Sequence, residues 1–167
     1  WGVFSIAGPN SRSFLKKRVV SEDPATTLSN KEFPWLSYRD IEIGMCPVRA
    51  LRVAYTGELG WELHHPIEMQ NYLLDILLSS GKEFNLKLVG ARAQNWLRQE
   101  KSYKAFGSDL GRDAGPFESN LSRFVDINKN FLGKDALLKR KTDVSCVTLI
   151  IDGPKDIDPW GREALYN

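Results

Sequence analysis

The chain has 167 residues, 42% hydrophobic and 26% charged, which is enough apolar material to bury a core. Its 23 basic and 21 acidic residues leave a net charge of +2, and no basic stripe interleaves with aromatics, so the electrostatic footprint of a nucleic-acid binder is missing. No apolar run approaches the roughly 18 residues of a membrane span, and no charged start leads into an apolar core as in a signal peptide. Cys46 and Cys146 lie far apart and outside any CxxC pair, which argues for reduced thiols in a cytoplasmic compartment rather than a disulfide framework or zinc. Opening at Trp1 directly in an apolar run, the chain reads as a piece of something longer.

Val3-Phe4-Ser5-Ile6 reads as a first strand, broken at Gly8-Pro9-Asn10-Ser11. Phe14 and Leu15 then fit a short helix, with Asn10 or Ser11 supplying the N-cap oxygen and Lys16, Lys17 and Arg18 at the end the macrodipole favours. Residues 19–35 form a polar connection with a short helical turn before Pro34, and residues 38–43 alternate as a strand. The next strand enters a hairpin. Leu51, Val53 and Tyr55 alternate with polar or small residues on the way in, as Trp61 and Leu63 do with Glu62 and His64 on the way out.

Gly57 and Gly60 bracket a tight reversal at Glu58-Leu59, which brings two carboxylates close to two aromatics and lets Tyr55 approach Glu62 across the hairpin. Two readings stay open at this point. One is a surface turn with solvated glutamates and a half-buried Trp61; the other is a ligand site where a carboxylate and aromatic surface hold a flat heterocycle. His64 and His65 are adjacent on a strand, so they point to opposite faces and cannot share a metal; no metal site is expected.

Met69, Tyr72, Leu73, Ile76 and Leu77 recur at helical spacing, with Gly81 placed to stop the helix. Residues 88–107 read as a second helix carrying Ala93, Trp96 and Leu97. On it, Arg92, Arg98 and Lys101 could bind a ligand's carboxylates, whereas Arg98 and Glu100 could equally join a structural ion-pair network, the role favoured for Arg98. Residues 107–116 are turn material, Phe124 to Ile127 a strand-like run, and Phe131 to Leu138 a short helix ending in a solvated Lys139-Arg140-Lys141. Val144 to Ile151 reads as a β-branched strand, with a further turn and strand expected after residues 161–167. The fold class expected is α+β, antiparallel strands with packed helices.

Five stretches in order resemble one family: IAGP at 6–9, YTGELGWEL at 55–63, GARAQNWLRQEKSYKAFGSDL at 90–110, PFE at 116–118 and FLGKDAL at 131–137. It is the folate-binding aminomethyltransferase family of the glycine cleavage T-protein. The forms GELGWE and LRQEKSY look closer to the carboxyl-terminal part of dimethylglycine and sarcosine dehydrogenases, where a flavin domain precedes the folate domain.

The resemblance implies a folate-binding domain over 1–142, its amino-terminal part missing, and the start of a truncated barrel domain over 143–167. It implies tetrahydrofolate as cofactor, with FAD only on an upstream domain. Glu62 matches the family's pterin-binding glutamate, which would accept the paired ring N–H and amino donors, and Tyr55 matches an aromatic lining that pocket. Glu58 matches a turn position with no assigned ligand. Gln94 stands where T-proteins carry an arginine, and Arg92, two residues earlier, is the candidate replacement. The family's catalytic aspartate lies outside this chain, so no catalytic residue is assigned.

The implied reaction carries a methylene unit from an oxidised methylamine, dimethylglycine or sarcosine, to folate N5, giving 5,10-methylenetetrahydrofolate. Implied partners are a small methylated amine and a covalently linked upstream flavin domain, in the mitochondrial matrix if the source is eukaryotic. The alternatives are a non-catalytic folate-sensing relative, a glycine cleavage aminomethyltransferase and a folate-dependent demethylase.

Overall fold

A period-two pattern of buried and exposed side chains builds one antiparallel sheet from β1 (Gly2–Ala7), β2 (Tyr38–Ile43), β3 (Cys46–Leu51) and β4 (Gly60–His65) in the computed structural model. The structure describes residues 1–140 and 143–154. The chain divides into two compact units, the first Trp1–Lys104 and the second beginning at Ala105. The sheet lies in the first, with strand order β1-β4-β3-β2. β4 is therefore interior, paired with β1 from Gly2↔His65 to Ala7↔Gly60 and with β3 from Arg49↔His64 to Leu51↔Glu62.

The register sorts side chains onto two faces. Ile6, Trp61, Leu63, Val48, Ala50, Cys46 and Ile43 share the inward face and are all buried. Helix α1 (Ser11–Lys16) adds Phe14 and Leu15 to that core, α3 (Gln70–Gly81) adds Leu73 and Leu77, and the connection after α2 (Pro24–Thr27) adds Leu28 and Phe33. The α+β class expected from the pattern is what forms.

Several local expectations are corrected. The β3–β4 reversal is not tight: β3 ends at Leu51, β4 begins at Gly60, and residues 52–59 form a loop. The reason is local, because Val53 N–H donates to Leu51 O at 2.9 Å and bends the chain out of the ladder. Gly57 does take a positive φ of 70°, but Gly60 serves close packing instead. A Cβ there would sit 2.6 Å from Ile6 O and 2.8 Å from the Ala54 Cβ. Trp61 is fully buried rather than half-buried.

Asn10 occupies the N-cap position of α1 without a side-chain cap bond. Ser11 Oγ instead lies 2.7 Å from Gly8 O and 2.8 Å from Leu59 O, tying the turn to the loop before β4. Helix α3 does end at Gly81 as expected, though not through a left-handed glycine: a 3-10 turn follows, and Asn85, at φ 54°, makes the break. Gly81 is needed because a Cβ would lie 2.6 Å from the Leu86 Cβ. Helix α4 spans only Ala91–Glu100, shorter than expected, and Ser102 at φ 57° ends its trailing turn.

In the second unit α5 (Lys134–Lys139) follows Gly133, whose φ of 87° suits glycine. No strand forms over 124–127 or over 144–151. Neither run has a ladder partner strand in its unit among the described residues, and β propensity without pairing makes no sheet. The turn and strand expected around 161–167 lie outside the described residues. Arg140, expected as part of a solvated helix end, instead donates from Nε to Glu118 Oε1 at 2.5 Å; Lys141 lies outside the described residues.

Candidate functional site

On the outward face of β4, Glu62 stands between Ser5 of β1 and Leu51 of β3. Hydrogen bonding on both sides of the strand fixes its backbone, so the carboxylate projects from a rigid element. Its side chain is 35% exposed, and Oε2 lies 3.1 Å from His64 Nε2, two residues along the same face. That is the carboxylate's sole partner among the described residues, which leaves Oε1 for a ligand donor.

Arg49, cross-strand from His64, is committed elsewhere. Its Nε and Nη2 grip Asp40 at 2.8 and 3.0 Å, and its guanidinium lies 5.3 Å from the Tyr38 ring centroid. The bidentate contact from Arg49 holds the Asp40 carboxyl below the usual carboxylate range. Glu62, like the exposed Glu42 near the far end of β2, has no guanidinium partner among the described residues, but Glu62 stands on an interior strand.

Tyr55 lies in the 52–59 loop, where its ring stacks on Tyr103 at 6.5 Å and its hydroxyl donates to Lys104 O at 3.1 Å. With Thr56 and Glu58 it lines a cleft of about 620 Å³ beside Phe4, Leu77 and Leu86. Glu62 does not line that cleft, and no contact joins it to Tyr55 among the described residues. Arg92 is exposed in the first turn of α4 and lines neither place, while Gln94 faces the cleft. The three residues named from the sequence therefore occupy three positions rather than one.

Arg98 is buried, with Nε and Nη2 on Asn95 Oδ1 at 2.9 and 2.7 Å and Nη1 on Tyr103 O at 2.9 Å, the structural role expected of it. His64 and His65 do point to opposite faces: His65 is buried and stacks on Phe4 at 4.8 Å, with Nδ1 2.9 Å from Leu63 O. The His64 contact to Glu62 was missed, although residues two apart on a strand share a face and the signal was present. Tyr103 as the ring beneath Tyr55 had no signal in the sequence, because that contact joins the 52–59 loop to irregular chain beyond α4.

A mixed sheet-and-helix unit with an open carboxylate on its central strand defines the class only broadly; comparison with known proteins narrows it. The model of the GCVT N-terminal domain matches residues 1–129, and the chain belongs to that family. The resemblance drawn from the five motifs is therefore borne out.

Dimethylglycine dehydrogenase, mitochondrial, of Homo sapiens is 39% identical over 99% of the chain and 19% of the relative. Sarcosine dehydrogenase, mitochondrial, of the same species is 34% identical over 99% of the chain and 18% of the relative. An aminomethyltransferase of Caldanaerobacter subterraneus is 37% identical over 82% of the chain and 35% of the relative. The chain thus spans about a fifth of the length of the two dehydrogenases. No helix among the described residues is long and apolar enough to cross a membrane.

Proposed function

We propose that this chain is the tetrahydrofolate-binding part of a one-carbon-transfer enzyme of the dimethylglycine or sarcosine dehydrogenase type. Residues 1–142 are assigned to the folate domain and 143–167 to the start of the following barrel. The observation that carries the reading is Glu62, a carboxylate on the rigid central strand with one oxygen free of protein partners among the described residues. The similarity to dimethylglycine dehydrogenase across nearly the whole chain supports it.

In this reading the pterin ring N–H and amino group donate side by side to the two oxygens of Glu62, and His64 steadies Oε2 through its second lone pair. Tyr55, stacked on Tyr103, and Arg92 are assigned to other parts of the folate. These residues bind and orient, holding the folate nitrogen against a methylene unit made by oxidation of a methylamine on a linked flavin domain. The product is 5,10-methylenetetrahydrofolate, formed in the mitochondrial matrix if the source is eukaryotic.

Calorimetric titration with tetrahydrofolate tests this on the wild type and on Glu62→Gln, which keeps the shape and replaces a double acceptor by a mixed group. The expected loss in the variant is about 1.5–3 kcal/mol, the value of a hydrogen bond to a charged group. Unchanged affinity would remove Glu62 from the site, and a folded full-length protein that binds no folate would overturn the reading.

A further inference from the structure

We propose that Arg12 and Arg52 form a second site, one that takes the carboxylate or phosphate group of a small molecule on the sheet face opposite Glu62. Trp61 and Glu62 are consecutive on β4, so their side chains leave opposite faces, and both guanidiniums gather at Trp61. The Arg12 guanidinium lies 5.8 Å from the indole centroid and that of Arg52 6.0 Å. The indole itself is fully buried, while both arginine side chains keep part of their surface in solvent.

What these cations lack is a counter-charge. Arg12 Nη2 donates to Asn30 Oδ1 and Arg52 Nη1 to Phe33 O, each at 2.6 Å, and both acceptors are neutral. Neither guanidinium meets a carboxylate among the described residues. Arg12 Nε and Trp61 Nε1 are moreover buried without a partner. Exposed arginines commonly do without an anion, but here burial, and then the charge of Arg12, disfavours the Arg52 cation.

The indole face attracts each cation and does nothing to cancel the repulsion between them. An anion does both jobs at once. Guanidinium forks match the planar, multi-oxygen geometry of carboxylate and phosphate, and each arginine keeps N–H groups beyond the single bond it makes here. The inference does not rest on folate binding, because Glu62 projects from the other face.

Calorimetry and thermal melts of the full-length protein in inorganic phosphate, acetate and chloride at constant ionic strength test it. Phosphate or acetate is expected to bind saturably, one per chain, and to raise the melting temperature above that in chloride. Arg12→Gln and Arg52→Gln should each weaken binding at least tenfold, while Lys17→Gln, which removes an exposed cation paired with Glu83, leaves it unchanged. Because a partly buried arginine variant can unfold, the wild-type indole N–H resonance of Trp61 is followed in the same titration, and it should shift with the binding isotherm.

Identical behaviour in all three anions overturns the proposal, as does a tight isotherm that survives both arginine variants. A response seen in the 167-residue chain but absent from the full-length protein also overturns it, since an acidic side chain from elsewhere would then fill the place.

Discussion

The two faces of β4 divide the work of one strand. Inward, Trp61, Leu63 and His65 are completely buried and carry the packing of the first unit. Outward, Glu62 and His64 are about one-third exposed and carry almost none of it. The ladder to β1 and β3 joins the faces, so the packing on one side sets the position of the carboxylate on the other. The comparison teaches that Glu62 should be replaceable at little cost to the fold, whereas its neighbours in sequence should not.

Trp61→Ala is the severest break of that comparison. Removing a fully buried indole should cost about 3–5 kcal/mol, and denaturant unfolding would read it as a lower midpoint. Ligand affinity should fall with it, since the strand carrying Glu62 is no longer held. Gly60→Ala comes next, because the added methyl meets Ile6 O and the Ala54 Cβ. A destabilisation of about 1–3 kcal/mol is expected, with a crystal structure showing the 52–59 loop displaced.

Glu118→Gln sharpens the contrast from the second unit, where a carboxylate is structural rather than open. Glu118 is buried, accepts Gly115 N–H at 2.8 Å, and is held below the usual carboxylate range, chiefly by its hydrogen bond from Arg140. A depressed folded-state pKa gives stability that is complete above the unfolded carboxylate pKa and lost as pH falls through the folded one. The wild type should therefore exceed Glu118→Gln in stability at neutral pH, and the two melting curves should converge in acid.

Glu62→Gln is the smallest expected effect on the fold, within about 0.5 kcal/mol in the same unfolding experiment, although its effect on folate affinity is the largest predicted for any outward residue. A large loss of stability would mean that the outward face is packed after all and would erase the contrast between the faces.

Much of this arrangement was legible in advance. An apolar run at 3–6 and alternation along 38–43 and 61–64 announce strands, and five spaced motifs pointed to the family that the comparisons bear out. Alternation reads poorly near a reversal, however. Val53 and Tyr55 continue the period of two but leave the sheet, because one backbone bond at Val53 turns the chain. The same limit explains the helix at 91–100, whose expected extension to 107 ignored a left-handed Ser102 that no propensity announces.

By itself, then, the sequence determined which residues of each strand share a face, and with that the separation of Glu62 from Trp61, because a pleated chain cannot place consecutive side chains on the same side. Only the tertiary structure decided what meets each face. Arg12 and Arg52 reach Trp61 from segments 40 positions apart, and Arg140 reaches Glu118 across 22. Such meetings depend on how distant segments pack, and nothing local in the chain encodes them.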